Sequence, residues 1–430
     1  MTGFQRDYDE FARGARAVIA YPNLQSGEGR DTEARLDEAA GLAEAIGIEV
    51  VERLAFRVRA PKPATLFGSG QVEDIATSVR AHDAQLVIID GAITPVQQRN
   101  LEEAVKAKVI DRTGLILEIF GERAATAEGR LQVELAHLDY QAGRLVRSWT
   151  HLERQRGGFG FLGGPGETQI EADRRMIRDR MAKLRRELET VSRTRTLHRE
   201  RRRRAPWPVI ALVGYTNAGK STLFNRMTGA EVMAENLLFA TLDPTMRQIS
   251  LPGLDKAILS DTVGFVSDLP TQLVAAFRAT LEEVISADLI IHVRDIAHPD
   301  SDAQRADVEH VLAEIGAEAP RMEAWNKLDR LEPEQRQQIE TDAARRDNVA
   351  LISALTGEGV EGLKRMVSDR LTAANRVRHI ELPMTDGAAA AWLHEHGEVI
   401  GEETMDGDRI AYDVRLSDRD WDRFQARSFA

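Results

Sequence analysis

One stretch of eight residues constrains the fold of this chain more than any other. It lies between a short apolar run, Val209–Val213, and a helical pattern that ends at Met227. It consists of Gly214, Tyr215, Thr216, Asn217, Ala218, Gly219, Lys220 and Ser221. Strand, glycine-rich turn and helix is the context that the phosphate-binding motif G-x-x-x-x-G-K-[ST] requires. The two glycines permit backbone conformations closed to residues with a Cβ, so successive N–H groups can face an anion at a helix N-terminus. The stretch therefore predicts an α/β domain whose phosphate loop contacts a nucleotide.

Three side chains of this loop have specific expected roles. Lys220 is expected to reach the β- and γ-phosphates and to act in catalysis, and the Ser221 hydroxyl is placed to bind Mg²⁺. Asn217 has two interpretations that spacing alone leaves open. Its carbonyl oxygen could bind a monovalent cation such as K⁺ beside the phosphates, or the residue could only shape the loop.

Three further motifs follow in the order expected of a guanine-nucleotide domain. They are Asp261-Thr262-Val263-Gly264, Asn326-Lys327-Leu328-Asp329 and Ser353-Ala354-Leu355. We expect Asp261 to act on Mg²⁺ through its water shell, and the Gly264 N–H to contact the γ-phosphate. The Asp329 carboxylate can accept hydrogen bonds from guanine N1–H and N2–H, which adenine lacks, and the Ala354 N–H can meet guanine O6. Together the motifs predict that the ligand is GTP.

The segment between the phosphate loop and Asp261 should contain the first switch of a GTPase. Its candidate contact residues are Phe239, Ala240, Thr241, Leu242 and Asp243. A threonine hydroxyl is needed there to complete the Mg²⁺ shell, and the sequence alone allows either Thr241 or Thr245. Ras-like enzymes orient the attacking water with a Gln directly after D-x-x-G, but Phe265 stands there in this chain. We therefore expect slow intrinsic hydrolysis.

Residues 121–204 carry two apolar seams with heptad spacing. The first contains Leu131, Leu135, Leu138, Ala142, Leu145, Trp149 and Leu152, and the second Ile177, Met181, Leu184, Leu188 and Val191. Seams of this kind predict an antiparallel, coiled-coil-like helical hairpin. Its many charges favour a projecting arm over an ordinary pair of core helices.

The connection between the two seams is rich in glycine and predicts an RNA contact. Its candidate RNA-binding residues are Arg154, Arg156, Phe159, Phe161 and Leu162. Arginines beside unburied aromatic residues suit stacking on unpaired bases, although the loop could instead pack on its own helices. Residues 144–204 contain 18 Lys/Arg and 8 Asp/Glu, whereas the whole chain has a net charge of -12. This asymmetry favours a nucleic-acid partner for the basic segment.

The rest of the chain completes a multidomain α/β protein of 430 residues. Alternating strand and helix patterns through residues 1–120 predict a small α/β domain with a parallel sheet. Residues 205–375 should form a Ras-like G domain with a mostly parallel sheet, and residues 376–430 a small α+β domain with a hairpin around Asp406-Gly407. Met405 and Trp421 are expected to pack in its core.

Composition limits the remaining possibilities. The chain has no cysteine, which excludes disulfides and thiolate metal sites. No apolar run approaches the ~18 residues of a membrane span. We expect a cytoplasmic monomer without a DNA partner, of which a fraction could associate with membranes.

The motifs together resemble those of HflX-type GTPases, a ribosome-associated group of the translation-factor-related class. Besides the nucleotide motifs, the resemblance rests on LQVEL at Leu131–Leu135, GGFGFLGGPGETQ at Gly157–Gln169 and FATLD at Phe239–Asp243. It implies that Thr241 is the Mg²⁺ ligand and that a hydrophobic residue at position 265 is normal. It also implies that Asn217 corresponds to the phosphate-loop Asn of potassium-stimulated members of the wider class.

The resemblance further implies a GTPase that binds the large ribosomal subunit. Its hairpin and glycine-rich loop would approach the peptidyl-transferase region of the rRNA, and the factor would split or rescue stalled ribosomes under stress. Ribosomes would stimulate hydrolysis, and GTP would favour the ribosome-engaged form. The alternative is an adaptor that senses GTP and holds an RNA or protein partner without remodelling it.

The base-recognition motif generates a first prediction. In Asp329→Asn the amide can donate a hydrogen bond to the O2 of xanthine, so nucleotide preference should shift from GTP towards XTP. Competition binding with both nucleotides measures this shift. A variant that still binds GTP as tightly as the unaltered protein would contradict the assignment of Asp329 to the base.

Overall fold

The structure, a computed structural model, describes most of the chain. The described residues are 14–24, 30–124, 126–155, 174–191, 207–229, 245–267, 278–372, 376–405, 408–416 and 418–426. Within these residues the strands form three separate sheets. None of the helices in this part of the chain is both long enough and apolar enough to cross a membrane.

The first sheet is fully parallel, as the alternating pattern predicted. Its strands are β1 Arg16–Asn23, β2 Glu49–Arg57, β3 Leu86–Ile89 and β4 Lys108–Asp111, in the order β2-β1-β3-β4. The helices between them are Thr32–Glu44, Ser69–His82 and Pro95–Val105. Pro95 opens its helix after the N-cap Thr94, where a missing N–H removes no helical hydrogen bond. Apolar clusters cover both faces of this sheet.

A fourth helix, Arg112–Arg123, was not predicted. It follows β4 directly, and its N-cap Asp111 accepts a hydrogen bond from the Gly114 N–H at 2.8 Å. The domain boundary that we predicted after residue 120 falls inside this helix.

The first helix of the hairpin, Ala127–Gln155, has two apolar faces. One face meets the helix at residues 174–191, where Leu138, Met181 and Leu184 are buried together. The other face places Val133 and Ala136 in the core of the first sheet. The prediction of a projecting arm is therefore wrong for the beginning of this helix, because it packs on both sides.

The second sheet is the largest and has the order β10-β9-β8-β5-β7-β6. Its strands are β5 Val209–Val213, β6 Thr245–Leu251, β7 Leu254–Asp261, β8 Leu289–Asp295, β9 Arg321–Asn326 and β10 Val349–Leu351. Its helices are Lys220–Thr228, Arg278–Ile285, Ser301–Glu314, Pro333–Ala343 and Val360–Thr372. All its neighbouring strands pair in parallel except β6, which runs antiparallel to β7. The mostly parallel G-domain sheet is confirmed, but β6 was not predicted.

The third sheet is antiparallel, and helices lie beside it. It contains β11 Arg376–Pro383, β12 Glu398–Met405 and β13 Arg409–Leu416 in the order β11-β13-β12, with helices Gly387–His396 and Asp418–Gln425. The predicted hairpin is confirmed by the pairing of β12 with β13, whereas the last helix was missed. Trp421 packs against the core as expected, but Met405 is 41% exposed, because it ends an edge strand.

Gly359 provides a test of how the second sheet meets the loop after β10. Its φ is +74°, and an added Cβ would lie 2.0 Å from the carbonyl oxygen of Leu351. We expect Gly359→Ala to lower the free energy of unfolding by more than the about 3 kcal/mol that bounds most point substitutions.

Gly316→Ala is the matched control for this substitution. Gly316 has a nearly identical φ of +73° but no atom within 4 Å of the added Cβ. Only the backbone strain should remain, which costs about 1–2 kcal/mol. Chemical unfolding followed by tryptophan fluorescence measures both variants. Equal losses of unfolding free energy in the two variants would mean that the close contact with the Leu351 carbonyl oxygen adds nothing to the cost of a Cβ at position 359.

Candidate nucleotide-binding site

The phosphate loop joins β5 to the helix Lys220–Thr228, in the middle of the second sheet. Gly214 has a φ of +152°, and its Cβ would lie 2.2 Å from the carbonyl oxygen of Val293. Gly219 has a φ of +94°, and its Cβ would lie 2.2 Å from the Asn326 Nδ2. A Cβ at either position would collide with a neighbour, so Val293 of β8 and Asn326 of β9 restrict the loop to this conformation.

Asn217 also shapes this loop. Its φ is +59°, a left-handed conformation in which Asn is tolerated better than most residues. The residue is exposed. The loop-shaping interpretation therefore has direct support, and the role of Asn217 towards K⁺ stays a prediction.

Lys220 lies buried beneath the loop. Its Nζ donates hydrogen bonds to the carbonyl oxygens of Gly214 at 3.0 Å and Tyr215 at 2.8 Å. Burial lowers the pKa of Lys220 to about 8, and the charge of Lys327 adds to this, while Asp261 acts in the opposite direction. The ammonium thus lacks a strong counter-charge, which the phosphates of a nucleotide would supply.

The structure brings together two of the residues predicted at the metal. The Ser221 hydroxyl donates to Asp261 Oδ2 at 2.8 Å, and Asp261 is fully buried at the end of β7. A hydroxyl and a carboxylate are the hard oxygen donors that Mg²⁺ prefers. Thr245 opens β6 and is the ladder partner of Asp261. Thr262 instead supports the sheet, because its hydroxyl donates to the Leu212 carbonyl at 2.6 Å.

The D-x-x-G loop lies directly against the phosphate loop. The Phe265 N–H donates to the Gly214 carbonyl at 3.1 Å, and the Phe265 carbonyl accepts from the Thr216 N–H at 2.7 Å. The Phe265 side chain is buried in the core, and Val263 is also buried. Phe265 therefore anchors this loop and presents no polar group to a water molecule.

Asn326 connects the base-recognition motif to two other loops. Its Nδ2 donates to the Ala218 carbonyl at 2.7 Å, and its Oδ1 accepts from the Ala354 N–H at 2.8 Å. The Ala354 N–H, which we assigned to guanine O6, is thus already engaged here. Its contact with O6 stays a prediction that requires this donor to be shared or to turn.

The remaining residues of the base-recognition motif are also held in place. Ser353 donates a hydrogen bond to the Asp329 carboxylate, and Leu328 is buried. Lys327 has a φ of +69°, and its Nζ pairs with Asp295 Oδ2 at 2.6 Å. Leu355 is 69% exposed beside this pocket.

Sequence reasoning missed two residues that support the base pocket. Asp295 ends β8 and pairs with Lys327, and Arg226 donates to the carbonyls of Ala354 and Leu355. Neither residue belongs to a motif. The end of a buried strand at the correct edge of the sheet was the available signal for Asp295, and no comparable signal marks Arg226.

Several predicted site residues lie outside the described residues. They are Phe239, Ala240, Thr241, Leu242 and Asp243 of the first switch, and Arg156, Phe159, Phe161 and Leu162 of the glycine-rich loop. Arg154 belongs to the helix Ala127–Gln155, but its side chain is not described. Their roles stay predictions.

The six-stranded sheet, the phosphate loop and the N-K-x-D motif define a P-loop GTP-binding protein. Family models match nearly the whole chain. They describe residues 33–121 as a GTP-binding GTPase N-terminal region, 123–202 as its middle region, 209–327 as a 50S ribosome-binding GTPase and 338–428 as the HflX C-terminal domain.

Curated relatives agree with these models over most of their length. The GTPase HflX of Magnetococcus marinus is 51% identical over 366 residues, which cover 85% of this chain and 84% of that protein. The GTPase HflX of Escherichia coli K12 is 42% identical over 418 residues, 97% of each protein. The chain belongs to the HflX family of GTPases, which hydrolyse GTP. Among solved structures, a crystal structure of SsGBP with GDP covers 84% of this chain and 99% of that one, with a TM-score of 0.48 and 24% identity.

The buried ammonium of Lys220 predicts a pH dependence of nucleotide binding. With a pKa of about 8 in the free protein, Lys220 loses its charge as the pH rises through that value. Bound phosphates favour the charged form, so binding above pH 8 takes up a proton. We expect the affinity for GDP to fall by up to about tenfold per pH unit there.

Isothermal titration between about pH 7 and pH 9, in buffers of different ionisation enthalpy, measures affinity and proton uptake together. Lys220→Met is the matched control, because it keeps any ionisation of the ligand but removes that of the lysine. If the unaltered protein and the variant showed the same pH slope, Lys220 would not be the titrating group.

Proposed function

We propose that this GTPase binds the large ribosomal subunit and, with GTP bound, splits or rescues stalled ribosomes under stress. The observation that carries the proposal is the excess of basic residues in 144–204, where 18 Lys/Arg face only 8 Asp/Glu in a chain of net charge -12. Phosphates of rRNA are suitable partners for such a segment. The description of the family model at 209–327, a 50S ribosome-binding GTPase, supports the same partner.

The nucleotide site is suited to Mg²⁺ as the companion of GTP. The described residues contain no group of three or more His, Asp or Glu side chains that could hold a metal by themselves. This agrees with Mg²⁺, which is usually bound by one or two carboxylates together with substrate phosphates. Ser221 would hold it directly, with Thr241 from the first switch, and Asp261 would act on it through a bound water molecule. When bound, Mg²⁺ neutralises charge on the phosphates.

The residues of the chain contribute binding and orientation more than proton transfer. Lys220 would bring its buried positive charge to the β- and γ-phosphates, and the Gly264 N–H, in the loop that follows β7, would contact the γ-phosphate. Asn217 would add K⁺ beside the phosphates. Because Phe265 is buried and apolar, no side chain at that position orients the attacking water. We expect turnover of the free protein on the order of 10⁻³ s⁻¹ or slower, and stimulation by large ribosomal subunits.

An adaptor that senses GTP without remodelling its partner is the second candidate. The same burial of Phe265 favours it, because an adaptor needs slow hydrolysis to hold its partner. The two candidates differ in what happens to a ribosome after binding.

The glycine-rich loop separates the two candidates. If Phe159, Phe161 and Leu162 contact rRNA bases, each contributes about 1–3 kcal/mol. Deletion of residues 157–166 should then sharply reduce the splitting of ribosomes into subunits, measured on a sucrose gradient with GTP. The affinity for a GTP analogue should stay unchanged, because the nucleotide site is built from residues after 206.

A length-matched variant with alanine at Phe159, Phe161 and Leu162 controls for the shortening of the loop. If the apolar side chains contact the rRNA, this variant should lose ribosome splitting as the deletion variant does. If only the length of the loop matters, it should still split ribosomes. Unimpaired splitting by the deletion would eliminate this loop as the working tip. Ribosome binding without splitting by the unaltered protein would favour the adaptor.

A further inference from the structure

Six buried or nearly buried polar side chains join the first sheet to the nucleotide site. We call them the interdomain cluster: Arg35, Glu38, Asp90, Arg112, Tyr215 and Ser267. The first four belong to the N-terminal domain, Tyr215 belongs to the phosphate loop, and Ser267 follows the D-x-x-G motif closely. Arg112 is 3% exposed and Ser267 is fully buried.

The cluster occupies a place where parallel sheets commonly bind ligands. In the order β2-β1-β3-β4 the sequence in which strands are added to the sheet reverses between β1 and β3, and ligands tend to bind at the carboxyl ends of strands at such a point. Asp90 follows β3 there, and Arg112 follows β4. In this protein Ser267 of the G domain fills that crevice.

Every polar group of Ser267 is engaged by the cluster. Its N–H donates to the Tyr215 hydroxyl, and its carbonyl accepts from Arg112 Nε at 3.1 Å. Its hydroxyl donates to Glu38 Oε2 at 2.7 Å and accepts from Arg35 and Arg112. The residue is therefore fixed in both backbone and side chain by the N-terminal domain and the phosphate loop.

The charges inside the cluster are balanced. Arg112 pairs with Asp90 and, at 2.9 Å, with Glu38, while Arg35 Nε lies 3.3 Å from Asp90 Oδ2. Burial alone would raise the pKa of Glu38, but Arg112 and its other partners hold that pKa below its ordinary value. Two arginines and two carboxylates thus remain charged and paired, and removal of one would leave a buried charge uncompensated.

The contacts of Ser267 also affect the expected site of the γ-phosphate, because Gly264 lies three residues before Ser267 in the same loop. A methyl group on Gly264 would lie 2.7 Å from Thr216 Cγ2 and 3.1 Å from Lys220 Nζ. The γ-phosphate of GTP would have to fit beside both Lys220 Nζ and the Gly264 N–H and accept hydrogen bonds from them at about 2.8 Å. The D-x-x-G loop therefore lies tightly against the phosphate loop, and any outward shift of Gly264 on entry of a γ-phosphate would draw Ser267 away from its partners.

We propose that Arg112 is a positioning residue of the nucleotide site: through Ser267 it holds the D-x-x-G loop against the phosphate loop. Entry of the γ-phosphate shifts this loop and so releases Ser267 from the N-terminal domain, whereas GDP, which has no γ-phosphate, leaves the contact intact. Linkage makes the effect reciprocal. A partner that binds more tightly when Arg112 has left Ser267 would raise the affinity for GTP, and GTP would raise the affinity for that partner by the same factor.

The test compares the affinities of the full chain for GDP and for a non-hydrolysable GTP analogue. In Arg112→Gln the ratio of the analogue's dissociation constant to that of GDP should fall by about tenfold. Arg112→Lys, which keeps the charge but loses the fork of donors, should lie between this variant and the unaltered protein. Overall destabilisation would weaken both nucleotides and leave the ratio unchanged.

Arg30→Gln is the matched control. Arg30 also links the two domains, by a two-pronged pair with Asp307 at 2.7 and 2.8 Å, but it does not contact Ser267. Its removal should leave the ratio unchanged. An equal fall in Arg30→Gln and Arg112→Gln would overturn the proposal, because loosening of the domains in general would then explain the effect.

Ser267→Ala covers the case in which Arg112→Gln does not fold. It removes the hydroxyl contacts but keeps both arginines paired with their carboxylates, so the buried charges stay balanced. We expect a smaller fall of the same ratio, of about threefold. An unchanged ratio in a folded Ser267→Ala protein, shown by circular dichroism, would also overturn the proposal.

Discussion

The side chain of Asn326 holds together three loops that come from three different strands. Asn326 ends β9, donates to the Ala218 carbonyl in the loop after β5, and accepts from the Ala354 N–H in the loop after β10. A single amide can do this only because parallel strands bring their carboxyl ends to one edge of the sheet. The phosphate and base pockets are thereby fixed relative to each other. Gly219 must lack a side chain for the same reason, because Asn326 stands where its Cβ would be.

Local patterns predicted most of the fold and the centre of the site. Apolar runs located β5 and β8, and four short motifs located the residues around the nucleotide, because these contacts arise from spacing within the chain. Strand β6 was not predicted, because Thr245 was a candidate for the first switch and the strand is only partly buried. The two-faced packing of the helix Ala127–Gln155 was not predicted, because the heptad seam covers one face only and Val133 and Ala136 lie outside it. The interdomain cluster could not be predicted, since Arg112 and Ser267 are 155 positions apart and polar residues leave no periodic signal.

Contacts from the G domain and from the N-terminal domain hold the phosphate loop in place. The Lys220 ammonium donates hydrogen bonds to carbonyls of the loop, and the backbone of Phe265 is hydrogen-bonded to the loop backbone. The Tyr215 hydroxyl, which belongs to the loop, donates to Glu38 of the N-terminal domain at 2.6 Å. Such bracing reduces the reorganisation that binding requires. The residue after D-x-x-G, Phe265, serves packing and offers no polar group to an attacking water.

The long helix of the hairpin has a mechanical consequence. Its 29 residues run without interruption from Ala127 to Gln155, a length of about 43 Å at ~1.5 Å per residue. Its first turns lie in the core beside Val133 and Ala136, so the helix cannot tilt without the domain that carries it. Val133 and Ala136 lie about 20 residues before Gln155, or about 30 Å along the axis, so a rotation of that domain by about 10° would move Gln155 by roughly 5 Å. The helix is thus a rigid extension of the domain that holds the first sheet, and a small rotation of that domain is enlarged at Gln155.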